Sequence, residues 1–403
     1  MLSTLPRAGW RLQSVLGQDA APQLPDRAQA ADAVGRFLAL REFRSRLYRC
    51  LTARPDALFE LCDAILCADH AVTSLVQLSL EAPFTRGHGA LYDALAVGGI
   101  DEEAFAALLT AALPLQPGGE AERAWIGEHD VIDDRLLESA LAGLPPGDAA
   151  AVRQACARWR RLRFAIDATP YPQPDAECSP EREHVHHDAC RCDGTRKTIP
   201  GWEYQFVAAV GHLRTAWTAL IDVERTAKAT RTSQTARQVR NLLRRAGAAG
   251  HTRDGCAPLV ILDAGYSAAG LTASLAGQPV HLLLRLPSGS VFYGDPVTWP
   301  GRNGRPPRHG IPVTCCNDPS AAHPEPQEPL ILPGTPLYGT VRVDAWRPVH
   351  PIVHGDRGWF KDNWHGELPI LPGTVLRVLA EHLLPGAEDS YVDGVHGADV
   401  VAC

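Results

Sequence analysis

The chain has 403 residues, of which 45% are apolar and 21% charged, a composition that excludes general disorder and fits roughly two to four domains. No uninterrupted apolar run approaches the roughly 18 residues that span a bilayer, which argues against an integral membrane protein. The first twenty residues lack the apolar stretch of a secretory signal, and eleven scattered cysteines do not suggest a disulfide framework. We therefore expect a cytoplasmic protein in a reducing compartment.

The first 161 residues predict a leader and then helices. Residues 1–30 are aperiodic and rich in Pro, Gln and Ala, which predicts a mobile leader. Over 31–161, apolar residues such as Phe37, Leu40 and Leu47 recur at three- and four-residue steps, which predicts an α-helical region. Its last two helices are expected near 132–143 and 147–161.

The middle of the chain alternates between strand and helix patterns in a defined order. Helix 232–247 should bury Val239, Leu242 and Leu243, and the strand-type runs cover 162–167, 204–211, 215–223, 259–263 and 280–286, with a second helix at 267–276. The order β-β-β-α-β-α-β over 162–290 is typical of a ribonuclease-H-like core with a mixed sheet. In that fold the first and fourth strands lie side by side and parallel.

The rest of the chain predicts a loop region and a small all-β insertion. Residues 291–336 are rich in Pro and Gly, and 317–336 should be irregular. Short β-type runs recur over 337–384, at Tyr338–Asp344, His350–His354 and Thr374–Leu379, and 385–403 predict an irregular tail. The predicted fold class is therefore α+β.

Two aspartates end two of the predicted core strands. Asp167 and Asp263 would lie together at the centre of the sheet, where two carboxylates suit Mg²⁺ or Mn²⁺ and metal-assisted phosphodiester chemistry. The alternative is that each Asp caps a loop, which is a common role at strand ends.

A cluster of metal-ligand types follows the first strand. Three His and two Cys occur within nine residues, at His184, His186, His187, Cys190 and Cys192. These are zinc ligand types, although the spacing matches no standard Cys-x-x-Cys pair. A zinc site and a solvated polar loop both remain open.

A basic segment lies in the middle of the chain. Residues 151–254 carry 18 basic and 11 acidic groups, and between Arg225 and Arg253 eight basic groups occur without an acid. This predicts contact with a DNA backbone, and the alternative is a solvated helix face. The predicted DNA-binding residues are Arg237, Arg240 and Arg244 on the helix, and Arg302, Arg305 and Arg308 on a later loop.

Several segments together resemble bacterial transposases of the DDE type. They are Arg163–Tyr171, Ile199–Val210 and Leu259–Tyr266 in the core, Arg54–Asp63 and Arg86–Asp93 before it, and Gly304–Gly310 and Leu337–Thr340 after it. The resemblance covers roughly residues 35–384 and implies Mg²⁺-dependent cleavage and strand transfer of double-stranded DNA at transposon ends. It maps the first two catalytic acids onto Asp167 and Asp263.

The chain departs from that family at the third catalytic acid. The family has a Glu on a later helix, in a run of the type Glu-x-x-Phe-x-x-x-Lys, and this chain contains no such run. Glu367 and Glu381 lie in the β-type insertion and are not assigned this role. The resemblance therefore implies a truncated transposase with impaired activity.

Two other functions remain open at this stage. One is a transposase remnant that binds DNA without cutting it, and the other is a zinc-binding interaction protein built around residues 184–192. A DNA-binding protein of this kind would associate with the bacterial nucleoid. The sequence leaves the oligomeric state and the recognised DNA sequence open.

Overall fold

A computed structural model gives the fold of the chain in two compact units, Met1–Asp101 and Glu102–Cys403. The structure describes residues 27–69, 71–113, 145, 147, 162–175, 178–187, 197–210, 218–252, 257–287, 290–296, 305, 307–314, 324–335, 338–382 and 401–402. Most of the predicted leader, the predicted helices near 132–143 and 147–161, Cys190 and Cys192 lie outside these residues.

The first unit is mainly helical, as the apolar periodicity predicts. Its core packs Leu61, Leu78, Phe84 and Leu91 together. A short strand after the first helix pairs antiparallel with a second short strand at Gly99–Ile100. Its elements are α1 (Arg27–Cys50), β1 (Leu51–Ala53), α2 (Pro55–Cys67), α3 (Leu75–Leu78), α4 (Gly89–Val97) and β2 (Gly99–Ile100).

The second unit contains the remaining elements and the large sheet. They are α5 (Glu102–Ala111), β3 (Arg163–Pro172), β4 (Glu183–His187), β5 (Lys197–Val210), β6 (Thr218–Thr226), α6 (Arg231–Ala248), β7 (Leu259–Leu262), α7 (Ala268–Ser274), β8 (His281–Leu284), β9 (Val291–Tyr293), β10 (Pro312–Thr314), β11 (Gln327–Thr335), β12 (Gly339–Pro351), α8 (Gly358–Asn363), β13 (Gly373–Ala380) and β14 (Val401–Ala402). The protein is thus of the mixed α+β class, as predicted.

The sheet has the strand order β10-β9-β12-β13-β14-β8-β7-β3-β5-β4, with β6 also paired to β5 and β11 to β12. Strand β3 is parallel to β7, which is parallel to β8, and antiparallel to β5. The predicted side-by-side, parallel placement of the first and fourth core strands is confirmed.

Helix α6 covers one face of this sheet. Its apolar residues Val239, Leu242 and Leu243 are buried against Phe164 and other strand residues in the largest core cluster. Burying a Leu or Val side chain stabilises the fold by about 1.5–3 kcal/mol relative to leaving it exposed. The predicted helix and its buried face are therefore both confirmed.

Helix α5 belongs with this core although it precedes the predicted core region. Glu103 of α5 accepts a hydrogen bond from Arg244 of α6 at 2.7 Å, and the Thr110 carbonyl lies 2.9 Å from a ring nitrogen of His251. The helical region predicted over 31–161 is accordingly divided between the two units.

Strand β3 does not stop at Asp167, so that part of the prediction is wrong. It continues to Pro172 because β5 is 14 residues long and pairs with it as far as Gly201. The polar loop predicted after β3 also contains a strand, since β4 pairs antiparallel with β5 and buries Val185.

The Pro-rich stretch 317–336 is not irregular throughout. Strand β11 forms within it. Among the described residues it pairs with β12 alone, so it is an edge strand, where a proline's missing N–H interrupts no central hydrogen-bond ladder. Strands β9 and β10 form in the predicted loop region 291–336, and β14 forms in the predicted irregular tail. The runs Tyr338–Asp344 and Thr374–Leu379 fall largely within β12 and β13.

No helix among the described residues is long and apolar enough to cross a membrane.

Candidate active site

Two exposed aspartates lie at the same edge of the central sheet. The parallel ladder between β3 and β7 ends with Ile166 opposite Leu262. Asp167 directly follows Ile166, and Asp263 directly follows Leu262. Adjacent strands of a sheet are about 4.8 Å apart, so the two backbones run close together here. Both residues are exposed, while Ile166 and Leu262 are buried.

Each carboxylate is oriented by one backbone donor. Oδ1 of Asp167 accepts a hydrogen bond from the N–H of Ala168 at 2.8 Å, and Oδ1 of Asp263 accepts one from the N–H of Gly265 at 2.9 Å. A side chain at Gly265 would crowd the carboxylate, because an added Cβ would lie 3.1 Å from Asp263 Oδ1. One oxygen of each carboxylate is thus fixed, and the other accepts no hydrogen bond from the described residues.

An ion pair lies beside the two aspartates. Nη2 of Arg231, the first residue of α6, donates to both carboxylate oxygens of Glu203 on β5 at 2.5 Å each. The side chains of Arg231 and Glu203 are only 19% and 20% exposed. The guanidinium carbon lies 5.9 Å from the centre of the Tyr266 ring, within the range of a cation–π contact.

Tyr266 connects the Asp263 loop to a buried polar network. Its hydroxyl donates to the side-chain oxygen of Gln205 at 3.0 Å, and the hydroxyl of Thr235 lies 3.0 Å from the same oxygen. The amide nitrogen of Gln205 donates to the side-chain oxygen of Gln238 at 2.6 Å. Because Tyr266 follows Asp263 by three residues, this network anchors the loop that carries Asp263.

The ionised groups at this edge all act on the Tyr266 phenol. Burial raises the pKa of Tyr266 well above its usual range, and the charge of Arg231 lowers it. The negative charges of Asp167, Asp263 and Glu203 raise the pKa further. The Tyr266 hydroxyl is therefore within electrostatic reach of three carboxylates and one guanidinium.

The predicted DNA-binding arginines of α6 have partners that the local sequence does not show. Arg237 pairs with Glu224 at 2.6 Å and Arg244 with Glu103 at 2.7 Å. Arg240 donates instead to the carbonyl of Ser274 at 3.1 Å. Their assignment to DNA stays a prediction, but the basic segment is not unpaired as it was expected to be.

The acids that pair with this segment come from other elements. Arg225 pairs with Glu181, and Arg245 pairs with Asp222 at 2.6 Å. The local absence of acids between Arg225 and Arg253 therefore says little about the net surface charge, because strands and α5 supply the counter-charges.

The three predicted loop arginines have separate surroundings. Arg308 donates to the carbonyl of Leu368 and lies 3.5 Å from Glu367. Arg305 is exposed, and Arg302 lies outside the described residues. No contact with the aspartate pair is recorded for the two that are described.

The metal predictions have different outcomes. Within the described part of the chain, no group of three His, Cys, Asp or Glu side chains is arranged to hold a metal ion. His184, His186 and His187 belong to β4, and the zinc prediction receives no support from the structure. The aspartate pair alone supplies two ligands rather than three.

The two unassigned glutamates have local contacts in the insertion. Glu381 accepts a hydrogen bond from the N–H of Thr340 at 2.7 Å, which lowers the pKa of its carboxyl group. Glu367 is highly exposed and lies near Arg308. These contacts give neither residue a role at the aspartate pair.

The sequence reasoning missed Arg231, Glu203, Gln205 and Tyr266 as parts of the site. A signal was present in β5, where Glu203 and Gln205 are polar at two-residue spacing next to the apolar run Phe206–Val210. In a strand, residues at that spacing share a face. Val207, on the same face of β5, is buried, so polar side chains on this face need hydrogen-bond partners. Side chains of α6 and of the Asp263 loop supply them.

In this α+β core two aspartates directly follow a pair of parallel central strands, and carboxylate oxygens are the ligands that divalent cations such as Mg²⁺ prefer. The family model described as DDE superfamily endonuclease matches residues 46–135 and 129–349. The chain therefore belongs to the DDE superfamily endonucleases, the family that includes the DDE-type transposases. A comparison with curated proteins found no match.

The buried phenol predicts a specific pH dependence of stability. Because the pKa of Tyr266 is raised above the value of about 10 in an unfolded chain, its stabilising effect is complete below pH 10 and is lost as the pH rises further. Between pH 10 and 11, the free energy of unfolding should fall more steeply for the wild type than for Tyr266→Phe, by up to about 1.4 kcal/mol per pH unit. Urea unfolding followed by circular dichroism measures this, and equal slopes for the two proteins would contradict it.

Proposed function

We propose that the chain is a DNA-cleaving enzyme of the DDE transposase type that depends on Mg²⁺ or Mn²⁺, with Asp167 and Asp263 as the metal-holding carboxylates. The observation that carries the proposal is the placement of both aspartates at the end of the β3–β7 ladder, exposed and each oriented by a backbone donor. The ribonuclease-H-like arrangement of the core is part of the same proposal.

The donor set fits a divalent cation. Hard carboxylate oxygens are the ligands that Mg²⁺ prefers, and Mg²⁺ commonly uses one or two carboxylates together with water and substrate phosphates. Three carboxylates and one guanidinium act on Tyr266 at this edge. Their formal charges leave an excess of two negative charges, which one divalent cation would neutralise.

The protein's own groups have defined roles in this proposal. A bound Mg²⁺ acts as a Lewis acid and lowers the pKa of a bound water or hydroxyl. Asp167 and Asp263 would hold the ion through the carboxylate oxygens that accept no hydrogen bond from the described residues. Tyr266, anchored to Gln205, keeps the Asp263 loop on the sheet, so that the separation of the two carboxylates is fixed before DNA binds.

We further propose that cleavage by this chain is weak. A two-metal displacement needs enough ligands to fix both ions, and the 403 residues contain no Glu-x-x-Phe-x-x-x-Lys run to supply the third acid. A misplaced catalytic group can cost about 10²-fold in rate.

The experiment is a strand-cleavage assay with Mg²⁺ or Mn²⁺ on duplex DNA that carries the sequences flanking the gene. We expect slow, metal-dependent cleavage that Asp167→Asn abolishes and that Asp362→Asn, an exposed carboxylate on α8, leaves unchanged. Fast cleavage that Asp167→Asn abolishes would refute the proposed impairment. Cleavage that survives in Asp167→Asn would refute the proposed site.

A second candidate function is DNA binding without cleavage, as in a transposase remnant. It is favoured because no three acids in the described part of the chain are arranged to hold a metal ion, and the nearby Glu203 is paired with Arg231. It predicts DNA binding that is independent of Asp167 and no metal-dependent cleavage, so the same assay separates the two candidates.

For DNA binding, we propose that α6 contacts phosphates through Arg237, Arg240 and Arg244, with Arg305, Arg308 and Arg302 contributing from their loop. Arg240 is the strongest candidate on the helix. Arg240 donates a hydrogen bond to a carbonyl, whereas Arg237 and Arg244 each hold a carboxylate with one guanidinium nitrogen. The DNA would be the double-stranded ends of a transposon.

This proposal predicts the salt dependence of DNA affinity. Replacing all three α6 arginines by Ala should lower the affinity for duplex DNA and reduce the slope of log K against log salt by about 0.9 per lost phosphate contact. Arg240→Ala alone should account for most of the change. Fluorescence anisotropy at several salt concentrations measures the slope, and an unchanged slope in the triple variant would assign these arginines to a solvated face.

A further inference from the structure

Arg231 has more hydrogen-bond donors than the protein uses. Its Nη2 is bound to Glu203, but its Nε is buried and has no hydrogen-bond partner among the described residues. No hydrogen bond from its Nη1 to the described part of the chain is recorded either. A buried donor without an acceptor lowers the free energy of unfolding by about 1–3 kcal/mol. Fold stability therefore does not explain why Arg231 has an unpaired donor.

Nη1 of Arg231 lies near Asp263. A point 3.6 Å from Arg231 Nη1 also lies 3.1 Å from Oδ1 and 3.6 Å from Oδ2 of Asp263. That point is where a Cβ would stand at residue 265, and glycine leaves it empty. A ligand atom that contacts Nη1 would therefore lie beside Asp263.

Once a divalent cation neutralises the excess negative charge of this edge, the start of α6 favours an anion beside Arg231. Arg231 is the first residue of the 18-residue helix α6. The first turn of this helix contains no acid, and its N-terminus has no hydrogen bond from a capping side chain. The unpaired N–H groups at a helix N-terminus attract negative charge. The side chain is 19% exposed, so its charge is held mostly away from water and remains reachable.

We propose that Arg231 binds a phosphate oxygen of the DNA strand at the aspartate pair, and that Glu203 is the residue that positions it. This inference rests on the proposed function, because that function brings a phosphodiester to Asp167 and Asp263. Glu203 holds Nη2 of the guanidinium and thereby keeps Nη1 near Asp263. Its Nη2 is held by Glu203 and its Nε is buried, so Nη1 is the donor that a phosphate oxygen would contact.

A purely structural role for the same ion pair makes different predictions. If Arg231 only tied α6 to β5, loss of either partner would lower stability and leave the phosphate contacts of DNA unchanged. If Arg231 contacts a phosphate, removing its charge must remove one contact, while removing the charge of Glu203 must not.

The test is the salt dependence of binding to a 20-base-pair duplex with Ca²⁺ present, measured by fluorescence anisotropy. Arg231→Gln should reduce the slope of log K against log salt by about 0.9, while Glu203→Gln keeps the wild-type slope. Arg231→Lys should keep the slope but bind several-fold more weakly, because an ammonium cannot hold Glu203 through one nitrogen and present a second donor beside Asp263. Arg342→Gln, which removes one of two arginines from Asp344 in the insertion, is the matched control and should behave as the wild type.

The outcomes separate this inference from the proposed function. A wild-type slope in Arg231→Gln overturns the inference and leaves the proposed function standing. If Arg231→Gln does not fold, wild-type affinity in Arg231→Lys overturns the inference in its place. If the wild-type protein binds no duplex DNA, the proposed function fails and the inference fails with it.

Discussion

The parallel ladder between β3 and β7 is the constraint on which the candidate site depends. Four consecutive residue pairs, ending at Ile166 and Leu262, fix the register of the two strands. A shift of one residue would turn Asp167 towards the opposite face of the sheet, where it could not act together with Asp263. The buried side chains of Phe164, Ile166, Val260 and Leu262 in one core cluster hold that register, so hydrophobic packing ultimately places the two carboxylates.

The polar network under the site adds orientation at a cost in stability. Gln205 and Gln238 are fully buried, and the amide nitrogen of Gln238 has no partner among the described residues. Apolar residues of similar size would avoid that cost. The network instead ties Tyr266, and with it the Asp263 loop, to β5 and α6. The network therefore lowers local stability but fixes the geometry of the loop beside Asp167 and Asp263, a combination that is common at functional sites.

The sequence predicted what periodicity and strand order determine. Helix α6, its buried face and the adjacency of β3 and β7 follow from local patterns and chain order. Ion pairs between distant positions do not follow, because no local pattern reports them: Arg244 and Glu103 are 141 positions apart. The extension of β3 past Asp167 was missed for a related reason, since a long antiparallel partner decides where a strand ends. The pairing of Arg231 with Glu203 likewise joins residues of different elements, 28 positions apart, and no local pattern reports it.

The central claim is that Asp167 and Asp263 form one divalent-metal site, and metal binding tests it most directly. Mn²⁺ titration followed by electron paramagnetic resonance should show a site on the wild-type protein that Asp167→Asn and Asp263→Asn each weaken at least about tenfold, the effect of losing roughly 1.4 kcal/mol. Asp362→Asn should leave that affinity unchanged, since its carboxylate lies exposed on α8. Equal Mn²⁺ affinity in the wild type and in both active-site variants would contradict the account.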